Sequence, residues 1–217
     1  MSSALRNIHP NLTMESYLKD PCGVSSLPYW KASTLALPPN LQIIHQNDFN
    51  PSHFAQCIDE PYFRLLHRLE NLHQPQIPEG FHLLSATAED FVKHINRCYI
   101  NISITEEALR QNINTKVYVP ELWIAIADDE TGQIAATGIG QLDPQLHEGI
   151  LDWIQVSPQY RRTGLGTYLV QELLWRMKDL ASFATVSGRI HEPSCPENLY
   201  RHCGFIGNDI WHILTKM

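Results

Sequence analysis

Apolar positions recur with two different periods along the chain, and from residue 81 onward they predict a regular succession of elements. Short continuous apolar runs predict strands, and apolar residues three or four positions apart predict helices. The run from Leu122 to Ala127 is apolar throughout, which is typical of a strand buried on both faces of a sheet. Thr87, followed three positions later by Asp90, indicates the start of a helix. The predicted strands are 81–84, 122–127, 134–142, 150–156, 183–190 and 210–215. The predicted helices in this region are 87–99, 105–112, 164–180 and 197–203, and one further helix, 61–72, is predicted before it.

The first eighty residues are rich in proline and less regular, and we interpret 1–80 as an N-terminal extension of a domain that spans 81–217. One partial repeat is visible, because residues 37–44 (LPPNLQII) parallel residues 77–84 (IPEGFHLL). Each copy continues through polar residues into a candidate helix, which in the first copy starts at Phe54. Either the extension repeats the opening strand and helix of the domain, which predicts an early strand in the first copy, or the likeness is a coincidence.

Composition narrows the class of protein. The chain has 217 residues, of which 43% are hydrophobic and 18% charged, and these are values of a globular protein. Its net charge of −7 argues against a nucleic-acid-binding surface, which normally carries a basic excess, and it suits a cationic substrate such as an amine. No apolar run approaches the ~18 residues of a membrane span, and residues 1–10 lack the apolar core of a signal peptide. We therefore expect a cytoplasmic protein without a membrane partner.

Cysteine and histidine usage predicts neither a disulfide framework nor a metal site. The five cysteines form an odd set without a Cys-x-x-Cys pair, which favours reduced thiols. The eleven histidines are scattered, and His191-Glu192 lacks a second histidine one turn further on. We therefore expect no bound metal.

The segment that follows the predicted strand 150–156 carries the strongest chemical signal. After a turn marked by proline, residues 161–167 (RRTGLGT) lead into the next predicted helix. Glycines at such a junction let the backbone approach an anion, the N–H groups of the first helical turn face it, and arginines neutralise its charge. Gly138-Ile139-Gly140 has a similar spacing, but it lies inside a predicted strand with no helix after it, so a bulge or close packing explains it.

A second segment, Leu199-Tyr200-Arg201-His202-Cys203-Gly204-Phe205, lies in the last predicted helix and the turn after it. Together the two segments resemble the GCN5-related N-acetyltransferase (GNAT) family. Residues 161–166 resemble its motif A, Arg/Gln-x-x-Gly-x-Gly/Ala, and residues 199–205 resemble a Leu-Tyr-x-x-x-Gly-Phe pattern near the family's C-terminus. The resemblance covers 81–217 and implies the acyl-CoA N-acyltransferase fold, an α/β fold with a mixed, mostly antiparallel central sheet flanked by helices.

The resemblance also implies a role for each matching residue. In this family the glycine loop grips the pyrophosphate of acetyl-CoA, the acyl donor, and the matching residues are Arg161, Arg162, Thr163, Gly164, Leu165, Gly166 and Thr167. The backbone N–H of Ile154 would face the thioester oxygen, and Val156 would hold the pantetheine arm. Tyr200 would give a proton to the departing sulfur, and its alternative role is that of an aromatic packing residue.

The general base is less well defined, because the position at which the family often carries a glutamate is an isoleucine here. Strand alternation predicts that one side of the strand carries Ile150, Asp152, Ile154 and Val156. Trp153 is then expected on the other side, in the core. Asp152 and nearby Glu148 are the candidates for a base or for an anionic site that attracts an amine, and the alternative for Asp152 is an ordinary ion pair.

These observations predict an N-acetyltransferase that moves an acetyl group from acetyl-CoA to a primary amine of a small molecule or peptide, by direct attack in a ternary complex. The alternative is a non-catalytic CoA-binding or sensing module of the same fold. Ile150 favours that alternative, and so does Pro193, since the family often has an asparagine at that position. The sequence does not identify the acceptor, and it leaves open whether the extension mediates a homodimer.

Overall fold

The computed structural model describes residues 6–7, 12–99 and 102–217, and within these residues the chain forms ten strands and six α-helices. The strands are β1 Arg6–Asn7, β2 Ala36–Leu37, β3 Leu41–His45, β4 Cys57–His67, β5 Phe81–Leu84, β6 Trp123–Asp128, β7 Ile134–Asp143, β8 Glu148–Val156, β9 Phe183–Arg189 and β10 Ile206–Lys216. The helices are α1 Met14–Lys19, α2 Tyr29–Ala32, α3 Ala88–Cys98, α4 Glu106–Ile113, α5 Leu165–Met177 and α6 Pro196–His202. Short 3₁₀ turns occur at Gln46–Asp48, Pro51–Phe54, Pro120–Leu122 and Pro158–Tyr160.

The fold is the expected α/β fold, with an eight-stranded, mostly antiparallel sheet and flanking helices. β1 and β2 form a separate two-stranded pair. The described residues group into two compact units, one built from 68–184 and the other from 1–67 together with 185–217.

In the unit 68–184, α3 and α4 cover one face of a meander. β5, β6, β7 and β8 pair antiparallel in chain order. The core on this face consists of the buried residues Phe91, Ile95, Leu109, Ala125 and Ile139. α3 begins with the predicted capping box, because the Thr87 hydroxyl accepts from the N–H of Asp90 while the Asp90 carboxylate accepts from the N–H of Thr87.

The opposite face of the meander packs against α5 through glycines. A Cβ built on Gly138 would lie 3.0 Å from Leu169 Cδ1. One built on Gly140 would lie 2.7 Å from Met177 Cε. Both distances are shorter than the ~3.5–4.0 Å at which carbon atoms pack. The Gly-x-Gly in this strand is therefore explained by close packing, which is one of the two explanations that its sequence context indicated.

The other unit is organised around β10, which is paired antiparallel on both sides. Trp211 lies opposite His45 of β3 and opposite Tyr62 of β4. The strand order in this unit is β3-β10-β4-β9. β4 is thus an interior strand, although it comes from the first part of the chain.

The prediction of a helix at residues 61–72 is wrong, because β4 occupies most of this segment. Phe63, Arg64 and Leu65 are consecutive and each is at most 2% exposed, so the strand is buried on both faces. A doubly buried strand does not alternate in polarity, and its apolar residues then fall at helical spacing by chance. Pro61 has no N–H to donate, and its carbonyl accepts from the N–H of Ile190.

A buried guanidinium holds the segment around α1 against β4. Arg64 donates from Nη2 to the Tyr17 hydroxyl at 2.7 Å and from Nε to the Pro21 carbonyl at 3.2 Å. Its Nη1 donates to Ser187 Oγ at 3.0 Å. These hydrogen bonds offset the cost of removing a charge from water, which is large for an unpaired group.

The strand that the partial repeat predicted is present as β3, Leu41–His45. β3 pairs with β10, whereas β5 in the second copy pairs with β6. The helix that the repeat predicted from Phe54 onward is wrong, because the 3₁₀ turn Pro51–Phe54 ends there and β4 begins at Cys57.

Candidate functional site

β8 leads into α5 through a loop whose backbone enters the left-handed region twice. Arg162 has φ +69° and Gly164 has φ +89°. Glycine adopts this region without a steric penalty, and a Cβ on Gly164 would meet only Pro78 Cγ, at 3.7 Å. The loop therefore needs glycine at 164 for its backbone angle and leaves open space beside it.

The N-terminus of α5 is open to a ligand. Gly164 is the N-cap residue, and no side chain caps the helix. The first N–H groups of a helix have no partner within it and carry the positive end of its dipole. Arg161, Arg162 and Thr163 on the loop are exposed, and neither arginine forms an ion pair with any residue that the structure describes. Exposed cations and free helix N–H groups are the groups that a phosphate requires, and the phosphate-binding role of this loop stays a prediction.

Contacts with its own unit hold the loop in shape. Thr163 Oγ1 donates to the Tyr160 carbonyl at 2.7 Å, and Arg161 Nε donates to the Val156 carbonyl at 3.4 Å. The Tyr160 ring meets the Phe81 ring edge-on, with centroids 5.8 Å apart. A loop that is ordered before binding loses less conformational entropy when a ligand arrives.

β8 contains a β-bulge at Trp153 and Ile154, which together lie opposite the single residue Gly138. Its pairing with β7 shifts between Thr137, opposite Gln155, and Ile139, opposite Asp152. Trp153 has φ +47°, a strained conformation that costs roughly 1–3 kcal/mol for a bulky residue. The Asp152 Oδ1 accepts from the Trp153 N–H at 3.0 Å. Bulges and strained residues of this kind are concentrated near functional sites.

The bulge corrects the predicted alternation along β8. The residues expected on one side were Ile150, Asp152, Ile154 and Val156. This expectation is wrong, because the extra residue of the bulge interrupts the alternation. Residues after the bulge therefore lie on the opposite face from the one expected. Asp152 lies opposite Ile139, which packs against α3, whereas Ile154 Cδ1 approaches Gly138 on the face of α5. Trp153 packs against the core of α3 and α4, as predicted, but it lies on the same face as Asp152 and not on the opposite one.

The two candidate bases have different surroundings. Glu148 is 0% exposed and lies opposite Asp143, another fully buried acid, in the β7–β8 pairing. Asp152 is partly exposed. Because a base must reach the proton that it removes, Asp152 is the better placed of the two.

A buried histidine that the sequence analysis missed lies beside the end of β8. His94 is 2% exposed, with Nδ1 2.8 Å from Thr137 Oγ1 and Nε2 2.8 Å from Ser157 Oγ. Burial, assisted by the charge of Arg97, lowers the pKa of the His94 ring to about 4, so the ring is neutral at pH 7. The signal in the sequence was a polar residue three positions after Phe91, on the apolar stripe of a predicted helix.

Tyr200 lies in α6, in the other unit, and is 6% exposed. Its ring centroid is 6.0 Å from that of Phe63 and 5.7 Å from that of Phe205. Its carbonyl accepts the N–H groups of Cys203 and Phe205, where Gly204 ends the helix with φ +93°. These contacts agree with the packing role, and the role as proton donor stays a prediction.

In the part of the chain that the structure describes, no three side chains of histidine, cysteine, aspartate or glutamate come together as metal ligands. Among the same residues, no helix is both long and apolar enough to cross a membrane.

Comparison with known proteins shows which domain and which solved structures the chain resembles. Residues 120–206 match a family model described as an acetyltransferase (GNAT) domain. This range contains the bulge, the glycine loop and Tyr200. A search of curated proteins finds no match.

Solved structures share the fold at low sequence identity. A GCN5-related N-acetyltransferase from Sphaerobacter thermophilus superposes with a TM-score of 0.67 at 16% identity, over 80% of this chain and 58% of its own. A GCN5-related N-acetyltransferase from Kribbella flavida gives a TM-score of 0.53 at 15% identity, over 81% of this chain and 67% of its own. A tandem GNAT protein from the clavulanic acid biosynthesis pathway gives a TM-score of 0.57 at 14% identity, over 81% of this chain and 62% of its own. This chain thus spans little more than half the length of the Sphaerobacter protein. Residues 120–206 thus resemble a GNAT acetyltransferase domain, and the chain has the fold of solved GNAT structures.

Proposed function

We propose that the protein is a cytoplasmic N-acetyltransferase that transfers the acetyl group of acetyl-CoA to a primary amine in a ternary complex. The observation that supports this most is the uncapped start of α5 behind Gly164, next to two exposed arginines that form no ion pair with the residues that the structure describes. Acetyl-CoA carries a pyrophosphate, and charge-assisted hydrogen bonds to such a group contribute about 1.5–3 kcal/mol each.

In this proposal, residues 161–167 hold the pyrophosphate, while the strand before them holds the rest of the donor. The Ile154 N–H polarises the thioester carbonyl, and the Val156 backbone bonds the pantetheine arm. The bulge at Trp153 supports this assignment, since a bulge interrupts the ladder and leaves backbone groups next to it without a strand partner.

The chemistry requires a neutral amine, although a lysine-like amine has a pKa near 10.4. Asp152 attracts the ammonium form and takes its proton, directly or through water. The amine nitrogen then bonds to the carbonyl carbon, the carbon–sulfur bond breaks, and the thiolate receives a proton from the Tyr200 hydroxyl. In this proposal Glu148, the other base candidate from the sequence, does not take the proton, because its carboxylate is buried opposite Asp143.

A second candidate function is a non-catalytic CoA-binding module. It is favoured by one observation, that the Asp152 carboxylate already accepts from the Trp153 N–H. Release of CoA thiol in the presence of an amine distinguishes the two functions, because only the enzyme consumes the donor.

Calorimetric titration with acetyl-CoA tests the donor site, with NADH and ATP as controls for other nucleotides. The double variant Arg161→Ala/Arg162→Ala is expected to bind acetyl-CoA at least tenfold more weakly, because two unpaired cations next to the helix start are lost. Arg110→Ala is the matched control, since Arg110 is also exposed but pairs with Glu106 on α4. Unchanged affinity in the double variant contradicts the loop assignment, and folded wild-type protein that does not bind acetyl-CoA contradicts the proposal.

A screen of small amines and peptides for released CoA thiol then tests the chemistry. In this assay Tyr200→Phe is expected to lower turnover and to keep the affinity for acetyl-CoA, since the ring and its contacts with Phe63 and Phe205 are retained. Unchanged turnover removes the acid role from Tyr200. Binding of acetyl-CoA without any turnover supports the non-catalytic function.

A further inference from the structure

We infer that His94 is a positioning residue for the glycine loop: it ties the end of β8 to β7 and to α3, and so fixes the backbone from which the loop departs. Its effect on acetyl-CoA binding rests on the proposed function. The effect of His94 on the order of the loop does not depend on the proposed function, and the two effects are measured separately.

The hydrogen bonds around His94 form a chain with a single direction. Gln155 Nε2 donates to Thr137 Oγ1, so the Thr137 hydroxyl is left to give its own proton to His94 Nδ1. The other ring nitrogen, Nε2, then carries the proton and donates to Ser157 Oγ at 2.8 Å. The Ser157 hydroxyl in turn faces the Ile134 carbonyl at 3.4 Å. Because the Ser157 hydroxyl gives its proton to the Ile134 carbonyl, these hydrogen bonds fit a neutral ring that is protonated at Nε2 and accepts at Nδ1.

The surroundings keep the ring in that form. Burial is the main reason that the pKa of His94 falls to about 4, and the positive charge of Arg97 acts in the same direction. Cys98 Sγ lies 3.7 Å from His94 Nε2, and burial raises the pKa of this thiol, so no thiolate stands beside the ring.

Ser157 transmits the position of His94 to the loop. It follows the last residue of β8, its N–H donates to the Ala135 carbonyl at 2.9 Å, and its side chain contacts His94. The Ser157 carbonyl accepts from the Tyr160 N–H at 2.9 Å, which starts the 3₁₀ turn before Arg161. A shift at Ser157 therefore moves the base of the loop that carries the arginines.

Two substitutions of His94 distinguish its contact with Thr137 from its contact with Ser157. In His94→Asn the amide reaches the place of Nδ1 beside Thr137 but not that of Nε2, so the contact with Ser157 is lost. In His94→Gln the amide reaches the place of Nε2, so this contact is retained. Ser157→Ala removes the same contact from the other side. Ile95→Ala is the control for general destabilisation, because Ile95 is fully buried on the same helix and belongs to the apolar core beside the network.

Hydrogen exchange of the protein without ligand gives the first readout. His94→Asn and Ser157→Ala are expected to speed exchange of the Ser157 and Tyr160 amides at least tenfold relative to the rest of the sheet. His94→Gln is expected to restore most of the protection, and Ile95→Ala to change these amides no more than their neighbours. If His94→Asn leaves the two amides as protected as in the wild type, the inference is overturned.

Titration and steady-state kinetics with acetyl-CoA give the second readout. His94→Asn and Ser157→Ala are each expected to raise Kd and KM for acetyl-CoA about threefold to tenfold with kcat unchanged, and the double variant to be no worse than either. Ile95→Ala is expected to lower Tm and to leave Kd unchanged. Wild-type protein that fails to bind acetyl-CoA contradicts the proposed function, and hydrogen exchange still decides the role of His94. Normal binding by His94→Asn alongside faster exchange contradicts the link to the donor site.

Discussion

The buried ring of His94 couples stability to pH. Its pKa falls from an ordinary 6.5 to about 4 in the folded protein, so between these pH values the unfolded chain binds a proton that the folded chain does not. The free energy of unfolding is therefore expected to decrease by about 3 kcal/mol as pH falls from 6.5 to 4, with no contribution from this residue above that range. Denaturant unfolding at several pH values measures the decrease.

The variant His94→Gln separates this effect from that of other titrating groups. Glutamine retains a polar amide but cannot take up a proton, so its stability is expected to depend less on pH between 6.5 and 4. If the free energy of unfolding changes with pH in the same way in the wild type and in His94→Gln, the low pKa does not belong to His94.

Individual residues were predictable from the sequence where their role depends on neighbours in the chain. Gly164 was identified because the left-handed turn and the helix that follows it are local features. His94 was missed because its partners, Thr137 and Ser157, come from two strands far away in the sequence. The faces of Asp152 and Ile154 were misjudged because a bulge adds one residue without leaving a signal in the polarity of the strand.

At the scale of elements, the start of α3 tests how much a local cap stabilises the fold. Thr87 is exposed, and its hydroxyl accepts from the Asp90 N–H at 3.3 Å. Thr87→Ala is expected to lower the free energy of unfolding by about 1 kcal/mol, because a helix N–H loses its acceptor. Thr87→Ser keeps the hydroxyl and is expected to stay within a few tenths of the wild type. Equal losses in both variants, measured by denaturant unfolding, contradict a capping role.

The elements of residues 81–217 were largely predictable, and β4 was not. Amphipathic helices such as α3 and α5 have a polar face and an apolar face, and this contrast gives the sequence its period. β4 has both faces buried, so Phe63, Arg64 and Leu65 carry no such contrast. Only the pairing with β9 and β10 determines that this segment is a strand, and the sequence does not reveal partners so distant along the chain.

At the scale of the whole molecule, the predicted boundary at residue 80 can be tested by truncation. The fragment 68–217 retains β10 but loses β3 and β4, the two strands that pair with it. We expect this fragment to be aggregated or unfolded, because Trp211 and Leu214, which are nearly inaccessible in the full chain, would lie on a strand with two open edges. Circular dichroism and size-exclusion chromatography measure the outcome.

Coexpression supplies the control for that truncation. Residues 1–67 produced as a separate chain are expected to restore a soluble, folded complex with 68–217. If 81–217 alone is folded and as stable as the full chain, the extension is separable and β4 is dispensable.

The pairing of β4 with β10 also determines when this part of the protein can form. β4 lies between β9 and β10, so a strand made early has no partner in the sheet until residues 183 and beyond have been synthesised. At roughly 5–20 residues per second, that delay is on the order of ten seconds. During this time Phe63 and Leu65 are exposed on a nascent chain, and closing so large a loop slows the final step. Newly made protein is therefore a natural client for chaperones that bind extended apolar segments.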